Sequence, residues 1–223
     1  NDVRSAANSD ITDSQVETGG DFSLTALEAA SIISTASGET KTISAEDLGA
    51  TTTDTPLENP ATAAAPLAVN ALIATNLVLS AANALLVDSD VNTGGDFTVA
   101  ADNTSTIEAD NSAVIESDGT AVGVVLAFNT IGWEPTNLFS STVDGLLGTS
   151  IGKEQPAVVS AQVVNTTFSV EGDVSVAAGG LESGDSETHG AILTATISNE
   201  AAANNDNAAA SFVLATNKVS TRT

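Results

Sequence analysis

The sequence predicts an all-β fold, a parallel β-solenoid of short strands with loop or short-helix insertions, from three observations. One glycine-aspartate turn motif occurs three times, about 75 residues apart, and a fixed period is the signature of a repeat architecture. Apolar and polar residues alternate on both sides of this turn, as in a β-strand. No long helical stripe separates these stretches, so successive turns of the chain are expected to stack directly. A β-sandwich of the same strands is the alternative.

The turn motif aligns without ambiguity across its three copies. The copies read ITDSQVETGGDFSLTA at 11–26, LVDSDVNTGGDFTVAA at 86–101 and VVNTTFSVEGDVSVA at 163–177. A second motif, an apolar stretch that ends in asparagine, recurs in the same order at Asn76, Asn129 and Asn217. Two motifs in constant order indicate a true repeat. We therefore predict one domain, 1–223, of three degenerate repeats at about 1–78, 79–155 and 156–223.

Strands follow from the alternation in each repeat. In the second repeat Val91, Phe97 and Val99 are predicted to point inward, and Val91→Asp is expected to destabilise the fold more than Thr93→Asp. Two further short strands are predicted on either side of a turn at Asp110 and Asn111.

Two segments interrupt this pattern and are predicted to be insertions. Residues 36–66 are rich in Thr, Ala and Pro and are expected to form a loop. Residues 133–156 follow the second asparagine motif, and a short helix is expected within them. Trp133 is expected to pack as a cover over this insertion.

Charge excludes several classes of partner. Five Lys and Arg residues stand against 29 Asp and Glu, for a net charge of −24. Nucleic-acid binding needs a clustered positive surface, and anionic membranes also attract basic segments, so neither partner is expected. Only 15% of residues are charged and 42% are hydrophobic, so the chain should fold rather than stay disordered.

An uncharged stretch at residues 67–87 has the length of a membrane-spanning helix. It contains three Asn residues, which are unfavourable in lipid unless paired. The repeat pattern assigns it to the β-structure instead, so no membrane insertion is predicted.

The repeated motifs, with their G-G-D-F turns at 19–22 and 94–97 and L-A-x-N endings at 126–129 and 214–217, resemble repeats of very large bacterial surface proteins. These are β-helical adhesins of the filamentous-haemagglutinin-like class. The resemblance covers most of the chain through its three copies. It implies a right-handed parallel β-helix in a secreted or cell-surface protein. A Cys-free, Lys-poor chain rich in Ser, Thr, Asn and Ala also fits a secreted bacterial protein.

Few residues suggest site chemistry. Stacked turns would align Asp21, Asp96 and Asp173, which makes them weak candidates for calcium ligands; the alternative is that their side chains hydrogen-bond turn backbones. Stacked Asn76, Asn129 and Asn217 are expected to cap turns or to form an amide ladder. His189 has no second His or any Cys as a partner, so a solvent-facing loop residue is expected there.

No catalytic residues are predicted. The five cations are scattered, and no G-x-S-x-G elbow, phosphate loop or H-E-x-x-H motif occurs. The predicted function is therefore a non-enzymatic, extracellular structural or adhesive module. A module that binds glycan or ice, or a β-sandwich filament subunit, is the alternative.

Self-association is predicted between the ends of such a stack. Exposed strand edges pair readily with another chain, and copies are expected to associate head to tail, as subunits or as segments of a longer surface protein. Arg4, Lys218 and Arg222 are expected at this assembly interface, where they would reduce repulsion between acidic bodies. Host-surface or matrix glycan is a further candidate partner.

Overall fold

The computed structural model describes residues 1–41, 67–116, 120–134, 146–147, 153–179, 194–204 and 208–223. The predicted all-β fold is confirmed, with seventeen strands named among these residues. They are β1 (Asp2–Thr12), β2 (Gln15–Thr18), β3 (Phe22–Glu28), β4 (Ser31–Lys41), β5 (Leu67–Val87), β6 (Asp90–Thr93), β7 (Phe97–Asn103), β8 (Thr106–Glu116), β9 (Thr120–Ile131), β10 (Trp133–Glu134), β11 (Lys153–Glu154), β12 (Ala157–Val164), β13 (Thr167–Val170), β14 (Val174–Ala178), β15 (Thr194–Asn204), β16 (Ala208–Val219) and β17 (Thr221–Arg222).

Strand pairing is parallel throughout the described part of the chain, except between β10 and β11. Five sets of neighbouring strands result: β1, β5 and β12; β2, β6 and β13; β3, β7 and β14; β4, β8 and β15; and β5, β9 and β16. An immunoglobulin-type sandwich is built from antiparallel sheets, so this pairing does not fit the alternative fold.

The chain passes through these sets in three successive stretches, which we call rungs. Each rung contributes one strand, or one part of β5, to each set. Rung 1 comprises β1–β4 and residues 67–76 of β5; rung 2 comprises residues 77–87 of β5 and β6–β9; rung 3 comprises β12–β16. Asn8 and Asn83, 75 residues apart, are register partners in rungs 1 and 2. Because the register holds from strand to strand, equivalent residues of the repeats lie side by side.

The core lies where alternate residues of the three rungs point towards the same interior. Phe22, Phe97 and Phe168 form a continuous ring stack, with centroids 5.1 and 5.2 Å apart. Register-matched Leu24 and Val99 pack beside them in the same cluster. Offset-stacked rings add favourable energy beyond the area they bury, so the aromatic column reinforces the inward alternation of these strands.

Three local predictions are wrong. Residues 36–41, assigned to a loop, continue β4 and pair with β8; residues 42–66 lie outside the described residues. No turn breaks the chain at Asp110 and Asn111, because β8 runs through both and Asn111 is 1% exposed. The third is the expectation that Thr93→Asp is milder than Val91→Asp: Thr93 is as buried as Val91 and points inward with it, whereas Asn92 is exposed.

The uncharged segment 67–87 forms β5, a single strand. It leaves rung 1 at residue 76 and enters rung 2 at residue 77, and in both rungs it pairs with parallel neighbours. Among the residues the structure describes, none belongs to a helix long and apolar enough to cross a membrane.

The insertion between rungs 2 and 3 begins and ends as an antiparallel pair. Trp133 lies opposite Glu154, and Glu134 lies opposite Lys153. Leu146 and Leu147 are helical and exposed, while the rest of the predicted short helix lies outside the described residues.

Candidate functional site

The Gly-Gly-Asp turns place the three candidate calcium ligands in one column. The Asp96 backbone N–H donates to Asp21 Oδ1 at 3.0 Å, and the Asp173 N–H donates to Asp96 Oδ1 at 2.9 Å. The Asp21 and Asp96 carboxylates thus bind the backbone of the following rung, as turn aspartates commonly bind nearby backbone. Among the described residues, no three His, Cys, Asp or Glu side chains are arranged to hold a metal ion.

The glycines of these turns allow the rungs to approach each other closely. A Cβ atom at Gly94 would lie 2.8 Å from Gly19 O, and one at Gly172 would lie 2.8 Å from the carbonyl carbon of Gly95. At Gly95 it would lie 2.9 Å from the carbonyl carbon of Gly20. At Gly95 and Gly172 the Cβ would also collide with the carboxylate oxygens of Asp21 and Asp96. Because backbone atoms of the preceding rung block all three positions as well, any side chain there would force adjacent rungs apart.

A second turn column was not anticipated from the sequence. Asp13, Asp88 and Asn165 hold φ angles of 49°, 48° and 49°. Asp and Asn tolerate this left-handed conformation better than other residues with side chains. Asn165 Nδ2 donates to Asp88 Oδ1 of the adjacent turn, so this hydrogen bond joins rung 3 to rung 2. An Asp or Asn three residues before each V-x-T or F-x-V motif was the available signal.

The asparagine motif forms an inward ladder. Asn1 Nδ2 donates to Asn76 Oδ1 at 2.7 Å, and Asn76 Nδ2 donates to Asn129 Oδ1 at 2.9 Å. Asn217 is the register partner of Asn129 in rung 3. Asn76 and Asn129 are 2% and 0% exposed and lie within strands. They therefore stack as an amide ladder and do not cap turns.

A smaller buried polar cluster lies beside this interior. Asn103 Nδ2 donates to Ser80 Oγ at 2.9 Å, and Ser105 Oγ donates to Asn103 Oδ1 at 2.6 Å. All three side chains are at most 5% exposed. Their hydrogen bonds compensate for the burial of polar groups, which supports a structural role for the cluster.

The predicted interface cations lie around the root of the insertion. Arg4 contacts Asp2 at 3.1 Å and Glu134 at 3.0 Å. The hydrogen bond to Asp2, then that to Glu134, raises the pKa of Arg4 above its ordinary value. Lys218 Nζ lies 3.5 Å from the centroid of the Trp133 ring. Both cations thus connect the rungs to the insertion within one chain.

The third predicted cation, Arg222, belongs to β17 and pairs with Val158 at the open side of rung 3. Its side chain borders a shallow cleft with Asn83 and Gln162. Trp133 is half-buried beneath Lys218, which agrees with its expected packing role. His189 lies outside the described residues.

Two open faces complete the candidate site. The N-face is the unpaired side of rung 1, formed by β1, β2, β3 and β4; the C-face is the unpaired side of rung 3, formed by β13, β14, β15 and β16. On the C-face Phe168, Val174 and Val176 are 45%, 51% and 48% exposed. Their register partners in rung 2 are at most 2% exposed, so the interior of the stack is uncovered on this side.

Comparison of the chain with protein-family models, curated proteins and solved structures finds no match.

Proposed function

We propose that the chain is a parallel β-solenoid module with a structural or adhesive, non-enzymatic role in a secreted or cell-surface bacterial protein. The observation that carries the proposal is the in-register stacking of equivalent residues from three rungs. The Asn76–Asn129 ladder, the Asp96–Asp173 contact and the phenylalanine stack all join one rung to the next.

In this role the polar groups of the asparagine ladder and of the Gly-Gly-Asp turns stabilise the stack. Asn76 and Asn129 bind each other inside the stack, and the Asp21 and Asp96 carboxylates bind backbone of the next rung. Groups used in this way stiffen a repetitive scaffold, because each rung holds its neighbours in register.

Outward columns of small polar residues favour a second role, in glycan binding. Thr106 Oγ1 donates to Ser31 Oγ at 3.1 Å, and Asn83 Nδ2 donates to Asn8 Oδ1 at 2.9 Å. Regular hydroxyl and amide groups on a stiff surface can hydrogen-bond a polysaccharide. Loss of binding to matrix polysaccharide in Asn8→Ala with Asn83→Ala, but not in Asp2→Ala, would distinguish this role from a purely structural one.

Engineered disulfides test the solenoid directly, because the chain has no cysteine of its own. Ser23 and Thr98 are register partners on the outer surface, and adjacent strands lie about 4.8 Å apart, within disulfide range. Ser23→Cys with Thr98→Cys should oxidise rapidly to an intramolecular disulfide.

The matched control is Ser23→Cys with Asn92→Cys, because Asn92 pairs with Glu17 instead. This pair should stay reduced under the same conditions. Equal oxidation of both pairs, or of neither, would overturn the solenoid. Antibody labelling of intact source cells tests the surface location, and signal only after lysis would contradict it.

A further inference from the structure

Within the described part of the chain, the glycines of the first turn have no steric role. A Cβ at Gly19 or Gly20 would meet nothing within 4 Å, although the same atom at Gly94 or Gly95 would collide with the preceding rung. Neither Gly19 nor Gly20 has a positive φ, so backbone conformation does not require glycine either. The close approach that explains the later glycines has no counterpart on the N-face.

The C-face has the complementary features. Phe168, Val174 and Val176 of rung 3 are half exposed there. Each of them pairs with a buried residue of rung 2, which rung 3 covers, but no described rung covers them in turn. Asp173 follows Asp21 and Asp96 in the column in which each carboxylate accepts the next Asp backbone N–H. In the described part of the chain no backbone N–H donates to the Asp173 carboxylate, although the Phe97 N–H donates to the Asp173 carbonyl oxygen.

We infer that the N-face of one copy docks on the C-face of a second copy, with rung 1 continuing the stack as its next rung. This inference rests on the proposed solenoid. In the docked pair the Asp21 N–H of one copy reaches the Asp173 carboxylate of the other. Gly19 and Gly20 then allow the close approach that Gly94 and Gly95 allow within the chain, and Phe22 covers Val174.

A second copy suits these faces better than an unrelated partner, because they are opposite sides of one repeat. The docked contact repeats the parallel register already present between rungs 1 and 2. Three rungs at about 4.8 Å each span about 15 Å, and each docked copy would lengthen the stack by the same amount. Such a heterologous contact does not close and therefore propagates.

The C-terminal segment of the chain already occupies part of the C-face to which the second copy would bind. β17 pairs with the start of β12, through Thr221 opposite Ala157. In a docked pair the residues 1–7 of the incoming copy would lie in the place that residues 217–223 already occupy. One of the two segments is therefore displaced on docking, and removing residues 217–223 should tighten the association.

Cross-linking between two single-cysteine proteins tests the geometry. Ser23 and Ser175 both pair with Thr98 and point outward, so Ser175 of one copy would adjoin Ser23 of the next. A mixture of the Ser175→Cys and Ser23→Cys proteins should form mixed disulfides much faster than either protein alone. Ser175→Cys mixed with Glu17→Cys is the control for register and should cross-link slowly. Equal rates in all mixtures would overturn the inference.

Sedimentation velocity on the whole chain supplies the second test, in roughly 0.5 M NaCl to screen the net charge. Gly20→Val should weaken self-association at least about tenfold without lowering the Tm, since the new side chain enters empty space in one copy and blocks the next. Ser23→Val, on the outer surface, should associate like the wild type.

A wild-type chain that stays monomeric at millimolar concentration, or a Gly20→Val chain that associates normally, would refute the docking. These failures differ from failure of the proposed function. If the Ser23–Thr98 disulfide still forms within one chain, the solenoid is retained and only the docking is refuted. If that disulfide also fails to form, both the solenoid and the docking are refuted.

Discussion

Rung 2 and rung 3 carry the same turn motif but differ sharply in burial. Phe97 and Val99 are fully buried, whereas their register partners Val174 and Val176 are about half exposed. The strands are of the same kind and the side chains point the same way. Rung 2 lies between two rungs and rung 3 has a neighbour on one side only, so equivalent residues of these two rungs differ in burial although their local sequences are alike.

The turn glycines show a similar contrast between rung 2 and rung 1. A Cβ atom at Gly94 would lie against the backbone of Gly19, whereas a Cβ atom at Gly19 would meet no atom within 4 Å. One residue type is therefore sterically required in rung 2 and unconstrained in rung 1. Paired substitutions at equivalent positions measure how much each neighbouring rung contributes.

The largest expected difference comes from a charge placed in the core. Val99→Asp buries an unpaired carboxylate and should lower the free energy of unfolding by roughly 3 kcal/mol or more. Val176→Asp places the same group on the half-exposed C-face and should lower it by roughly 1 kcal/mol or less. Urea denaturation followed by circular dichroism gives both values, and equal losses would contradict the assigned difference in burial.

The asparagine ladder should show the next largest effect. Asn129→Ala removes one of the two acceptors of Asn76 Nδ2, the other being Ser34 Oγ. One buried N–H of this amide is then left unpaired, which costs about 1–3 kcal/mol. Asn83→Ala removes a solvent-exposed amide contact with Asn8 and should cost about 0.5 kcal/mol or less. Thermal unfolding of the two variants measures the contrast. If Asn83→Ala proves the more damaging, the interior ladder is not a main source of stability.

A smaller contrast is expected at the turn glycines. Gly94→Ala brings a methyl group against the backbone of Gly19, and overpacking of this kind costs about 1–3 kcal/mol. Gly19→Ala meets no atom within 4 Å and should change the stability of a single copy by less than about 0.5 kcal/mol. The two melting temperatures, measured at low protein concentration, test this; a similar drop in both would mean that rung spacing is not what requires glycine.

The smallest effect expected is that of salt. A net charge of −24 repels itself, and salt screens that repulsion, so the Tm should rise modestly with ionic strength. Calcium and sodium chloride should act equally at matched ionic strength, because the Asp21 and Asp96 carboxylates already bind backbone. A larger rise with calcium that Asp96→Asn abolishes would establish the calcium column instead.

Several features of the fold could be predicted from the sequence because they are properties of a single strand. Side chains alternate with a period of two along a strand, so Val91, Phe97 and Val99 could be assigned inward before any neighbour was known. The equivalence of Asp21, Asp96 and Asp173 followed from alignment of the repeats. Their separation of about 75 residues in the chain left open whether they touch, and the register brings them together.

The remaining features depend on residues distant in the chain. β8 continues through Asp110 and Asn111, against their turn preference, because β4 and β15 pair along its whole length. Arg4 reaches Glu134 only because rung 2 ends beside rung 1. The sequence by itself determined the repeat period, the strand parity and the positions of the Gly-Gly-Asp turns, since these depend on local backbone preference. Tertiary structure alone decided which positions are covered and where the cations bind, since those depend on contacts between rungs.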